Sequence, residues 1–97
     1  KSLCIVLCSK GYPENYEKNL EIQDLLELKI NENSFIYHAG TIMKNSKIYA
    51  MGGRVLNFVN ISDEYGTSRK ELLNLIYKLK WKDGFFRSDI GYKVIDL

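Results

Sequence analysis

No stretch of this 97-residue sequence approaches the ~20 consecutive apolar residues that a membrane-spanning helix needs, and its first residues lack a signal-peptide pattern. A membrane partner is therefore not expected. Charge of one sign is lacking too: 14 basic residues stand against 12 acidic, for a net +2. Such a balance implies neither nucleic acid nor an anionic surface as a partner, and leaves room only for a local basic site for a small anion. The sequence has two cysteines and one histidine, His38, too few to complete a zinc set. Cys4 and Cys8 lie four apart in "LCIVLC", which places them on one face of a strand, about 13 Å apart and beyond disulfide reach. We read both as small buried hydrophobes in a reducing, cytoplasmic setting. Repeats, low-complexity tracts, a Walker sequence, a glycine-rich nucleotide fingerprint and a Ser/His/Asp spacing are all missing. Residue 1 is lysine, not methionine, so the chain reads as a piece of something longer.

What is present suits one small domain. Hydrophobic residues make up 45% and charged residues 27%, enough for a single core that buries roughly 60–65% of the unfolded surface. Residues 3–8 form a β-branched, apolar strand that stops at "SKGYP", where Gly11 and Pro13 end pairing. Residues 20–30 fit either a helical face through Ile22, Leu25 and Leu28 or a short strand and a single turn. Residues 35–43 and 47–51 flank Lys44, Asn45 and Ser46 as a hairpin, and residues 54–61 add a third strand to a meander. The period then changes. Leu72, Leu75, Ile76 and Leu79 fall on one helical stripe, with Arg69, Lys70, Asn74 and Lys78 opposite. Ser68 and Glu71 have capping-box spacing, whereas Asp63 or Glu64 would start the helix a turn earlier with Gly66 inside it. The helix is expected to end near Lys80, with Trp81, Phe85 and Phe86 packing its end and "FRSDIG" forming a charged exit.

Several side chains bear on chemistry. In "AMGGRVL", Gly52 and Gly53 precede Arg54, whose five donors form a planar fork suited to carboxylate or phosphate. The plainer alternative is a bulge or tight turn with Arg54 lying over the surface. His38 sits in mid-strand before a glycine and reads as a hydrogen-bonded structural residue. Ser9, Lys10 and Gly11 could form an anion-binding loop through turn amides. Arg87 and Asp89, two apart, read as a local ion pair worth about 0–1 kcal/mol if exposed. Neither cysteine has a histidine neighbour in sequence, so covalent catalysis is not indicated.

Four short motifs in register add to this reading: "SKGYP" at residues 9–13, "HAGT" at 38–41, "GGRVL" at 52–56 and "FFRSDIG" at 85–91. Together they resemble the C-terminal domain of the phosphoribosylamine–glycine ligase family of ATP-grasp ligases. The resemblance implies an α+β, mainly β fold: a small antiparallel barrel or sandwich, rudiment single-hybrid-motif-like, with a hairpin and one amphipathic C-terminal helix, akin to the last domain of biotin carboxylases. Residues 1–97 would be that single domain, with the ATP-grasp core absent from this chain. The family joins glycine to 5-phosphoribosylamine with ATP cleavage in purine synthesis, through a glycyl phosphate that the ribosylamine nitrogen attacks. ATP and Mg²⁺ or Mn²⁺ would be held by the absent ATP-grasp portion and none by this fragment. The domain would contact the ATP-grasp and N-terminal domains, close one side of the active site, and be inactive alone.

Carried over by position, the cleft-facing residues would be Lys10, Gly11, His38, Gly40, Thr41, Gly53, Arg54, Arg87 and Asp89. None is expected to be catalytic: Arg54 would orient an anionic group, Gly53 would allow close approach, and His38 would position. Ser88 stands where the family usually has a second arginine, and Met51 and Cys8 replace a more polar and a smaller residue. Two further readings are the equivalent domain of a biotin-dependent or purine carboxylase, and a non-enzymatic module that binds phosphorylated ligands. A purely buttressing role is a third.

Overall fold

In the computed structural model of the chain, residues 1–87 are described. The first strand, β1 (Ser2–Ser9), alternates strictly and turns Leu3, Ile5 and Leu7 inward. Further along come β2 (Leu20–Glu21), β3 (Ser34–His38), β4 (Thr41–Lys44), β5 (Lys47–Ala50) and β6 (Arg54–Ile61). Helix α1 (Tyr65–Leu79) and a short β7 (Gly84–Phe85) follow. Two antiparallel sheets result, ordered β3-β6-β1-β7 and β2-β5-β4. They do not close into a barrel.

The expected meander is corrected. Residues 35–43 do not run as one strand, because the chain breaks at Ala39 and Gly40 and its two halves enter different sheets. Strand β6 therefore pairs with β3 and β1, and not with β5. The hairpin itself is as expected. Lys44 pairs with Lys47, and Asn45 and Ser46 take φ of 51° and 65°, the left-handed pair that a two-residue turn requires. Residues 20–30 adopt the strand-and-turn alternative: β2 is followed by turn bonds from Glu27 N–H to Asp24 and from Leu28 N–H to Leu25.

Helix α1 lies across one face of the larger sheet, against β1 and β6. Its stripe of Leu72, Leu75, Ile76 and Leu79 joins Leu3, Ile5, Leu7, Leu56 and Phe58 in one core, which Ile22 and Leu25 from the segment after β2 and Ile48 and Ala50 of β5 complete. The helix starts at the earlier of the two expected points, after Glu64. Ser68 is consequently no cap. It is buried inside the first turns, its hydroxyl 2.8 Å from that of Ser62. Lys80, at φ 54°, ends the helix, and Trp81 Nε1–H donates to the Glu21 carbonyl at 3.2 Å, tying the helix end to the second sheet. Trp81 and Phe86 pack on the core, while Phe85 is exposed.

One expectation about β1 is reversed. Cys4 and Cys8 do share a face, but it is the face away from the helix, and Cys4 is exposed with Cys8 half-buried. The period of two fixes which residues go together; the helix decides which set is covered.

Gly66 lies in the first turn of α1, with open space where a Cβ would stand. Gly66→Ala should therefore raise stability by about 0.5–1 kcal/mol through helix propensity and a less free unfolded chain, read as a higher denaturant midpoint with unchanged slope.

Candidate functional site

Strand β6 contains one residue more than β1 opposes. Leu7 faces Leu56, but Cys8 faces Arg54, so Val55 is an extra residue in a β-bulge. Val55 and Leu56 are consecutive and both fully buried. Strict alternation from Asn60, Phe58 and Leu56 would have turned Arg54 into the core. The bulge resets the phase and puts Arg54 on the outer face beside Cys8. The plainer reading of this stretch is the one observed, with the bulge at Val55 and not at the glycine pair, and Arg54 exposed.

Backbone hydrogen bonds gather the motif loops around that point. The Val55 carbonyl accepts from the N–H groups of Ala39 and Gly40, and the Gly40 carbonyl accepts from Met51 and Gly52. Ser9 N–H donates to the Gly53 carbonyl at 2.7 Å, and the buried Ser9 hydroxyl donates to Gly52 at 3.0 Å. A Cβ on Gly40 would come within 2.5 Å of the Arg54 carbonyl oxygen, so only glycine fits where these strands cross. At Gly53 a Cβ would sit 1.8 Å from the ring of Tyr12. The close approach that Gly53 permits is thus made by Tyr12, from the "SKGYP" loop.

Two depressions share this wall. One, of about 510 Å³, is lined by Tyr12, Ala39, Gly40, Gly52, Gly53 and Arg54 above Cys4, Val6 and Asn57. The other, of about 420 Å³ and largely apolar, runs between Tyr12, Pro13, Cys8 and Arg54 on one side and Phe85, Phe86 and Arg87 on the other. Arg54 borders both. Burial pushes the Cys8 thiol pKa up, and the neighbouring Arg54 guanidinium offsets part of that rise.

The expected site residues divide accordingly. Gly40, Gly53 and Arg54 line one depression, and Arg54 and Arg87 the next. His38 and Thr41 lie on either side of Ala39 and Gly40 and share a hydrogen bond of 2.7 Å between Nδ1 and Oγ1, but line neither. His38 is the exposed last residue of β3, not a mid-strand residue. Lys10 borders a separate open depression beyond the loop, with Glu14, Glu17 and Asp83. In the loop expected to offer its amides to an anion, the N–H groups of Ser9 and Lys10 are taken by the carbonyls of Gly53 and Asp83. Gly11, at φ 95°, serves the turn itself, since a Cβ would meet the Asn15 carbonyl at 2.0 Å. Asp89, with its expected pairing to Arg87, and Ser88 lie outside the described residues. Sequence reasoning missed Tyr12 and Asn57 as wall residues; Tyr12 sat inside a quoted motif, but nothing local showed that its ring would fill the space over Gly53.

Residues 2–93 match the family model described as phosphoribosylglycinamide synthetase, C domain. The chain belongs to that family. Similar proteins include the phosphoribosylamine–glycine ligases of Caldanaerobacter subterraneus subsp. tengcongensis, 40% identical over 91 residues, and of Agrobacterium fabrum, 39% identical over 94. These alignments cover 94% and 97% of this chain but only 21% and 22% of the relatives. The crystal structure of phosphoribosylamine–glycine ligase from Thermotoga maritima matches with a TM-score of 0.74 at 29% identity, over 92% of this chain and 21% of that one. The chain thus spans about a fifth of the length of the ligases it matches. Among the described residues no three His, Cys, Asp or Glu side chains converge on a common point, so the described part of the domain offers no metal ligand set. No helix among them is long and apolar enough to cross a membrane.

Two outcomes test this geometry. Gly53→Ala should destabilise the domain by about 1–3 kcal/mol by displacing the Tyr12 ring. A double-mutant cycle with Tyr12→Ala should return a coupling of at least about 0.5 kcal/mol. Arg54→Ala should raise the Cys8 thiol pKa further, shifting the pH profile of Cys8 alkylation to higher pH in a Cys4→Ser background.

Proposed function

We propose that this chain is the C-terminal domain of a phosphoribosylamine–glycine ligase, an ATP-dependent enzyme that joins glycine to 5-phosphoribosylamine in cytoplasmic purine synthesis. The observation that carries this reading is the family match over residues 2–93. The carboxylase and free-standing phosphate-module readings find no support among the relatives, which are named as this ligase. ATP and its divalent metal ion belong to the remainder of the enzyme on this reading, and no step of their handling falls to residues of this domain.

What the domain supplies is a wall that carries the Arg54 cation. Transfer of a phosphoryl group to glycine, then displacement of phosphate by the ribosylamine nitrogen, builds negative charge on oxygen at each step. Arg54 presents a planar guanidinium fork at a mouth shaped by backbone, so it can orient an anionic substrate group without reorganising. Tyr12 and Gly40 fix that mouth. His38, bonded to Thr41, positions the turn and takes no proton from substrate.

In the full-length ligase, Arg54→Ala should lower kcat/KM for glycine ligation by tenfold or more, on the order of 1.4 kcal/mol. The thermal midpoint should stay unchanged, because the side chain is exposed. Unchanged kinetics would remove Arg54 from the site.

A further inference from the structure

The basic residues at the end of α1 have no part in the function proposed above. Lys78, Lys80 and Lys82 alternate with Leu79 and Trp81, and they gather where the helix stops. Beside them, on the helix side of the larger sheet, is a depression of about 290 Å³. Its floor is Leu7 and Ile76, both buried, and its walls are the rings of Tyr77, Trp81 and Phe86. Those walls are held by contacts of their own. Trp81 Nε1–H is tied to the Glu21 carbonyl, and the indole lies so close to Gly84 that a Cβ there would stand 2.4 Å from Cε3. Tyr77 and Phe86 meet edge to face with centroids 5.9 Å apart, although Tyr77 is 60% exposed.

We propose that this depression binds a small organic anion with a flat, apolar body, of the class of the aromatic carboxylates. Lys80 and Lys82, both exposed, border it, and no acidic residue among the described ones does. The helix end accounts for only part of this charge. Lys78 stands in the last turn and Lys80 ends the helix in the left-handed conformation, where cations answer a backbone dipole equivalent to about half a negative charge. Those two already exceed it, and Lys82 adds a third. Inside, the only indole N–H is spent on Glu21, so a ligand meets ring faces and edges at the walls and positive charge at the rim. Inorganic phosphate would leave the rings unfilled, and a neutral arene would leave the lysines unanswered. Leu7 points to this side of the sheet, whereas Cys8 and Arg54 point to the other. The ligand is therefore not the substrate group assigned to Arg54, and the proposal stands without that assignment. Phe86 alone lines both this depression and the apolar groove that Arg54 borders, so an occupant would bear on one wall of that groove.

The test is calorimetric titration of the full-length protein with 2-naphthoate and, separately, with its uncharged isostere 2-naphthamide. The acid should bind with a submillimolar Kd and the amide about fivefold more weakly, the scale expected of two exposed charge contacts. In the double variant Lys80→Gln, Lys82→Gln the acid should fall to the level of the amide, with the amide unchanged. Tyr77→Ala, which removes a wall at an exposed position, should weaken both. Thermal midpoints of the variants check that the fold is kept, and the comparison of acid with amide on the wild type needs no variant. No binding of the acid, equal binding of acid and amide, or acid binding that persists undiminished in the folded lysine or Tyr77 variants would each overturn the proposal.

Discussion

The bulge at Val55 is the constraint on which the rest of the site depends. In a strand of period two, one inserted residue moves every side chain on one side of it to the opposite face. Here it lets Val55 and Leu56 both enter the core and sends Arg54 outward, beside Cys8. Without it, strict alternation would turn a guanidinium toward an apolar core, where an unpaired charge is costly. The freed carbonyl of Val55 is not wasted either. It accepts from Ala39 and Gly40, and so fixes the point at which β3 ends and the chain leaves for the second sheet.

The motif loops are held mainly by their backbones. Gly40 bonds through both its N–H and its carbonyl, Ser9 bonds through its amide and its hydroxyl, and Gly53 receives the ring of Tyr12. Such contacts tolerate no Cβ at Gly40 and Gly53, which explains glycine there by volume and not by conformational freedom, since neither has a positive φ. Most of the first three motifs is therefore scaffold. The side-chain chemistry they present at the mouth is concentrated in Arg54, with Arg87 across the apolar groove.

The domain is complete on one side and open on the other. A single core of fourteen buried hydrophobic residues lies under the helix, fed by both sheets. Across the larger sheet, residues of comparable apolarity meet solvent. Among the described residues, the core thus lies on one side of the larger sheet, and Phe35, Tyr37 and Ile61 are exposed on the other.

Local patterns were enough to locate β1, β6, the Asn45–Ser46 turn and the helical stripe, because each depends on a period or a turn chemistry contained within a few residues. The four motifs in register identified the family for the same reason: spacing is a property of the chain. Tertiary structure alone decided that residues 35–43 divide between two sheets, since the break at Ala39 and Gly40 is held by their N–H bonds to the distant carbonyl of Val55. It alone decided that Cys4 and Cys8 face outward, because β1 is apolar on both faces and its own alternation cannot say which one the helix will cover. The position of Arg54 depended on both. The sequence placed a cation beside a glycine pair, but whether that cation met solvent or core was set by a one-residue mismatch between two strands, which is a relation between distant segments and is written in neither.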